Sequence, residues 1–240
     1  MIICSLNDAV IDLLAEKEEF LDGTAHFGML KAAFRLINDS AEVLMDAFQR
    51  YPDYRLVITG HSLGAGVSAI IHLGIRSGTF KDVIPQTIEL KTILLAPPPV
   101  YKATEIPDEL TKEITAFVQG NDCVPRLSSA NIDEFFEKAY ALGKLELTQS
   151  QIFKLLTEQS DEEVDACLEA MNEATEKVQT DKFQRLNHVG NVYYIPEKEP
   201  KMFKVNGGFF DDSFLLLKMM IWDHLQPNYR KALDKVTFTN

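Results

Sequence analysis

Apolar residues recur along this chain with two different periods, and the switches between them predict its elements. From Ser5 to Glu16, Leu6, Ala9, Val10, Leu13 and Leu14 fall at helical spacing. That predicts a short amphipathic helix, with Ser5 placed to cap it. Met29 to Arg50 carries a longer helical stripe that must stop before Pro52. Arg55–Thr59, Leu90–Ala96, Ile114–Gln119 and Gly190–Ile195 are short apolar runs next to Gly, Pro or Asn. Such runs predict strands, with Leu90–Ala96 a buried one. Leu63 to Arg76 reads as the helix after the first of them. Helix and strand alternate through residues 29–119, which predicts an α/β fold with a mostly parallel sheet and helices on both its faces. After Asp122 the alternation stops. Residues 131–186 read as wholly helical, with a capping box at Ser160-x-x-Glu163. They are expected to form a helical insertion in a single domain covering residues 1–240.

Composition narrows the partners. The chain has 240 residues and is 46% hydrophobic, enough for one large domain with a sizeable core. Its net charge of −12 argues against nucleic acid as a partner. Residues 131–186 hold thirteen Asp/Glu against six Lys/Arg, the pattern of a solvated helical face. Cys4, Cys123 and Cys167 are odd in number and widely spaced, so no disulfide framework is expected and a reducing, cytoplasmic compartment is. None forms a C-x-x-C pair, and no structural zinc, other metal or cofactor is expected. The most apolar stretch, Phe214–Trp222, is interrupted by Lys218 and is too short to span a bilayer.

The chemistry is concentrated in Leu56-Val57-Ile58-Thr59-Gly60-His61-Ser62-Leu63-Gly64-Ala65-Gly66. Here Gly-x-Ser-x-Gly follows a predicted strand and opens a predicted helix, the context of a nucleophile elbow. The turn is expected to be too tight for side chains at its flanking positions, so that both Gly60 and Gly64 are glycine. Ser62 would be the nucleophile, and the N–H of Leu63, at a helix N-terminus, an oxyanion donor.

A serine hydroxyl needs a base, and the base needs an acid to orient it. In α/β-hydrolases these follow in the order Ser, Asp or Glu, His. His26 precedes the serine. His61 lies within the elbow, where its ring is expected to point away from the hydroxyl. His72 lies on the helix behind it, as a packed or surface residue. Of the remaining two, His224 follows all recognisable strands and is preferred as base. His188 directly precedes Gly190–Ile195 and reads as a structural residue. For the acid, Asp122 follows the strand Ile114–Gln119. Asp133, Asp161, Asp165 and Asp181 fall in the insertion, and Asp211 and Asp212 in a loop.

Three segments together resemble class 3 lipases, closest to the sn-1-specific diacylglycerol lipases. They are Gly60-His61-Ser62-Leu63-Gly64-Ala65-Gly66, Gly120-Asn121-Asp122-Cys123-Val124-Pro125-Arg126-Leu127, and Trp222-Asp223-His224-Leu225 with Tyr229 following. Ala25-His26-Phe27-Gly28-Met29 is similar to the segment that opens the first long helix in that family. The resemblance implies a serine esterase acting on acylglycerols, with Ser62, Asp122 and His224 as the catalytic set and a helical insert between acid and base. It also implies an Arg-Gly-Thr/Ser motif at the end of a central strand, whose last residue gives a second oxyanion donor. Met1, Ile2 and Ile3 stand in that place, with Ile3 at the donor position and Cys4-Ser5-Leu6-Asn7-Asp8 after it. The chain is therefore expected to be a fragment or a wrongly started gene product, preceded by a β-rich segment.

The expected function is hydrolysis of acylglycerol esters at a membrane or lipid-droplet surface by a peripherally bound enzyme. The helix Ser5–Glu16 would be a lid or ordinary packing. Phe209, Phe210 and the Phe214–Trp222 run would wall an acyl pocket, touch lipid or form plain core. Two rivals remain: a lipase-fold scaffold for protein interaction, and an esterase or thioesterase with a soluble acyl substrate.

Overall fold

The computed structural model of the chain describes residues 17–127, 129–156, 162–177, 185–197, 199–206, 208–210 and 222–236. The predicted helix Ser5–Glu16, Ile3, Cys4, the capping box at Ser160 and residues 214–221 of the apolar run lie outside them.

The strands are β1 (Lys17–Phe20), β2 (Gly23–His26), β3 (Leu56–His61), β4 (Leu90–Leu95), β5 (Tyr101–Ala103), β6 (Ile114–Gln119), β7 (Asn191–Ile195) and β8 (Phe203–Val205). The helices are α1 (Phe27–Arg50), α2 (Leu63–Ser77), α3 (Ser129–Gly143), α4 (Gln149–Leu156), α5 (Glu162–Glu176) and α6 (Gln226–Lys235). One sheet has the order β3-β4-β6-β7-β8. Its first three pairs are parallel, and β8 returns antiparallel to β7. All four predicted strands thus share one mostly parallel sheet. Among the described residues β3 is a terminal strand of it, with Val57 49% exposed.

The core forms where α2 packs on β3 and β4 and under α1. α2 is apolar nearly all round, so Ala65, Ala69, Ile70, Ile71, Leu73 and Ile75 are all buried. α1 buries only the stripe Met29, Leu30, Ala33 and Ile37, one face at helical spacing. It begins two residues earlier than its apolar stripe predicts, because His26 caps it, accepting the Met29 N–H at Nδ1 over 3.4 Å.

A second sheet, β1-β2-β5, is antiparallel and absent from the sequence expectation. Lys17-Glu18-Glu19 shows no alternation that predicts a strand, and Glu18 and Glu19 are exposed. Pairing with β2 along all four residues, with Phe20 alone buried in the core, makes β1 a strand.

The chain divides into two compact units, one built on residues up to Ser129 and from Arg185 onward, the other on residues 130–184. The structure corrects the expectation that residues 131–186 are wholly helical. Residues 144–148 are not helical, and neither are Arg185 and Leu186. Helix α3 ends at Gly143, and Thr148 then caps the start of α4. Its Oγ1 accepts the Gln151 N–H at 3.3 Å, and Gln151 Oε1 accepts the Thr148 N–H at 2.8 Å. That is a capping box, twelve residues before the predicted one. Across the end of α4, Lys154 pairs with Glu163 at 2.5 Å.

Candidate active site

The backbone of β3 runs one residue past the strand, since the Ser62 N–H still donates to the Leu95 carbonyl at 3.0 Å. There the chain reverses. Ser62 has φ 60° and ψ −132°, a conformation that a non-glycine residue rarely adopts. The turn lifts its Oγ away from the sheet and starts α2 at the next residue. Gly60 is required, because a Cβ there would lie inside van der Waals contact of the Gly64 carbonyl oxygen. Gly64 is not required on the same ground. A Cβ at 64 meets nothing within 4 Å among the described residues, which corrects the expectation for that position. The Leu63 N–H belongs to the first turn of α2, where the helix supplies no acceptor.

Asp122 is reached through a turn after β6. Gly120 has φ +49°, and a Cβ there would also sit 2.6 Å from Asp223 Oδ2. Asp122 is fully buried. Its Oδ1 accepts the Val124 N–H at 2.9 Å, and its Oδ2 accepts the Tyr229 hydroxyl at 2.5 Å. His224 lies in the loop before α6, and its Nδ1 is 3.0 and 3.2 Å from the two oxygens of Asp122. A carboxylate only accepts, so Nδ1 carries the proton and Nε2 is the lone-pair nitrogen. That Nε2 stands 2.9 Å from Ser62 Oγ, which donates to it. Three side chains from three segments, up to 162 residues apart, form one hydrogen-bonded row.

The other histidines stand elsewhere. His188 donates from Nε2 to the Pro97 carbonyl at 3.1 Å and meets the ring of Phe210 edge-on. His72 is fully buried, 2.7 Å from Thr92 Oγ1, and burial holds its pKa down to about 4. His61 turns to His224, not to the Ser62 hydroxyl. Ile3 lies outside the described residues. Phe210 is fully buried, while Phe209 and Trp222 are exposed.

Sequence reasoning assigned no role to two residues of this site. Tyr229 is fully buried, and its oxygen also accepts the Gln119 N–H at 3.2 Å. Burial, then the charge of Asp122, pushes its phenol well above the usual range, so it stays a donor. Asp223 is buried and accepts the Asn121 N–H at 2.8 Å, which fastens the His224 loop to the Asp122 turn. Neither shows in periodicity. The interval from His224 to Tyr229 is visible in the sequence, but only the fold gives it a partner. Cys123, beside Asp122, is a thiol pushed up to about 11 by burial and then by that carboxylate, so it is no competing nucleophile at neutral pH. Among the described residues no three His, Cys, Asp or Glu side chains are grouped to hold a metal.

A mostly parallel sheet with a strained serine between strand and helix, in a row with an aspartate from a later strand end and a histidine from a later loop, defines an α/β-hydrolase fold. Solved lipases share it. The triacylglyceride lipase of Rhizomucor miehei superposes with a TM-score of 0.55 at 17% identity, over 92% of this chain and 66% of that one. A mutant form of MDLA from Penicillium cyclopium gives 0.52 at 18% identity, over 92% and 65%. The sequence profile of the class 3 lipases matches residues 4–132, and the chain belongs to that family. Mouse diacylglycerol lipase-beta is 33% identical over 140 residues, 54% of this chain and 19% of that protein. Human diacylglycerol lipase-alpha is 32% identical over 145 residues, 55% of this chain and 13% of that protein. The chain thus spans less than a fifth of the curated relatives it matches. No helix among the described residues is long and apolar enough to cross a membrane.

Proposed function

We propose that this chain carries the catalytic centre of a serine lipase that hydrolyses ester bonds of acylglycerols, diacylglycerol-like lipids among them. One observation carries the reading: Ser62 Oγ, His224 and Asp122 stand in a row at 2.9 and 3.0 Å on a strained elbow. Ser62 Oγ attacks the ester carbonyl as His224 Nε2 takes its proton. Asp122 keeps the other ring nitrogen protonated and steadies the imidazolium. The Leu63 N–H, at the positive end of α2, faces the oxyanion, with Ile3 as the proposed second donor. The tetrahedral species collapses, and His224 returns the proton to the leaving alcohol. Water then repeats the sequence on the acyl-serine and frees the fatty acid.

The diacylglycerol preference rests on the relatives above. Contact with a lipid surface is supported by Trp222 and Leu225, which flank the His224 segment and are 59% and 43% exposed. Two features support the reading of residues 131–186 as an insertion within one hydrolase domain. Three helices, α3, α4 and α5, fall between Asp122 and His224 in the chain, and residues 130–184 form a compact unit of their own.

The test is a fluorophosphonate reaction with the modified residue mapped, followed by turnover of diacylglycerol vesicles and of a short p-nitrophenyl ester. Labelling at Ser62 with faster vesicle turnover supports the lipase. Turnover of the short ester alone points to a soluble acyl substrate. No labelling at Ser62 overturns the reading.

A further inference from the structure

His61 is the last residue of β3 and directly precedes the nucleophile. Its Nε2 lies 2.9 Å from the backbone carbonyl oxygen of His224, across 163 residues of chain. A carbonyl only accepts, so His61 carries its proton on Nε2 and donates it there. The two imidazole rings are in contact as a tilted pair, with centroids 4.7 Å apart and planes inclined by 32°. Tyr229 meets His61 edge-on at 6.0 Å. So one side chain, fixed by the strand that holds the nucleophile, touches both the backbone and the ring of His224.

This contact matters because His224 sits on a loop. Asp223 ties the loop to Asn121, and Asn228 donates to the Trp222 carbonyl at 2.7 Å. Neither bond sets the distance between the imidazole and β3, where Ser62 is held. The His61 bond does. We propose that His61 is a positioning residue for His224: it binds the His224 carbonyl and packs on the imidazole, so that Nε2 stays in line with Ser62 Oγ. The inference rests on the hydrolase reading above.

His61 is suited to remain neutral throughout. Burial, and then the neighbouring His224, hold its pKa below the ordinary 6.5, against a smaller upward pull from its hydrogen bond to His224 and from Asp122. His224, Asp122 and Tyr229 are the titratable groups around it. A neutral ring beside the imidazolium that forms during acylation tolerates the charge, whereas a second cation would oppose it.

The experiment compares full-chain His61→Phe, His61→Gln and Ser62→Ala with wild type. The Phe variant keeps a ring without a donor, and the Gln variant keeps a donor N–H. Ser62 labelling by a fluorophosphonate is timed, kcat and KM are measured for a short p-nitrophenyl ester, and urea unfolding reports on the fold. The expected result for His61→Phe is labelling and kcat slowed about tenfold or more at nearly unchanged KM. His61→Gln should recover to within about threefold of wild type, because its amide replaces the lost donor. Should His61→Phe not fold, His61→Asn, whose amide falls short of the carbonyl, takes its place. Wild-type rates in the donorless variant, a Gln variant no faster than it, or a change in KM alone would overturn the proposal. A wild-type chain inert at Ser62, or a labelled Ser62→Ala, would instead sink the hydrolase reading itself.

Discussion

Tyr229 donates its hydroxyl to Asp122 Oδ2 at 2.5 Å while accepting the Gln119 N–H, and both ends of that bridge are buried. Removing it leaves one buried N–H without its acceptor and one carboxylate without its donor. Tyr229→Phe is therefore expected to lower stability by about 1–3 kcal/mol. It should also slow ester hydrolysis by about tenfold, through a less firmly held Asp122. Urea unfolding and initial rates measure the two effects. A variant with both at wild-type levels would show that the bridge contributes nothing.

Ser62→Ala should abolish ester hydrolysis and leave unfolding cooperative, since it removes one hydroxyl and no core volume. Loss of a nucleophile typically removes about 10⁶ of kcat. Retention of a tenth of wild-type activity would place the chemistry elsewhere.

His224→Ala should be nearly as damaging as Ser62→Ala, with His188→Ala milder by orders of magnitude in rate. His188 is 6% exposed and spends its N–H on the Pro97 carbonyl, so its loss should appear in stability instead. The comparison is rates on one ester at pH 8, with unfolding midpoints. An inactive His188→Ala beside an active His224→Ala would reverse the assignment.

His72 should make stability fall as the solution is acidified. Its pKa is about 4 in the folded chain against an ordinary 6.5, with burial the main cause and Arg76 the next. Above pH 6.5 the ring is neutral whether folded or not. Between 6.5 and about 4 the unfolded chain takes up a proton there that the folded chain refuses, so stability drops as pH falls. The full loss is on the order of 3 kcal/mol. Denaturant unfolding from pH 7.5 to 4.5 should show a shallower slope for His72→Asn than for wild type; identical slopes would contradict the assignment.

Replacing residues 131–184 by a short Gly-Ser linker should leave Ser62 reactive, at a modest cost in loop entropy. The cut stops before Leu186 and Asn187, because Leu186 is buried and Asn187 hydrogen-bonds to Tyr101 in the first unit. Turnover of a large lipid relative to a small ester should rise if these helices restrict access. Loss of all cooperative folding would show that they are core.

Much of this protein follows from its sequence through local physics. The four apolar runs bounded by turn residues read as strands, and their alternation with helices pointed to a mostly parallel sheet. The Gly60-x-Ser62 turn is determined by a steric limit that acts within five residues, and Asp122 by its place after β6. The order of chain elements was enough to prefer His224 over His188. What the sequence could not contain is whatever depends on partners far away in it. Lys17–Phe20 is a strand because β2 pairs with it, with Phe20 its one buried side chain. Tyr229, Asp223 and His61 look like ordinary residues until the strand ends converge. Their roles arise from hydrogen bonds spanning 102 to 163 residues, and only the packing of α2 and the sheet brings those groups within 3 Å or so of one another.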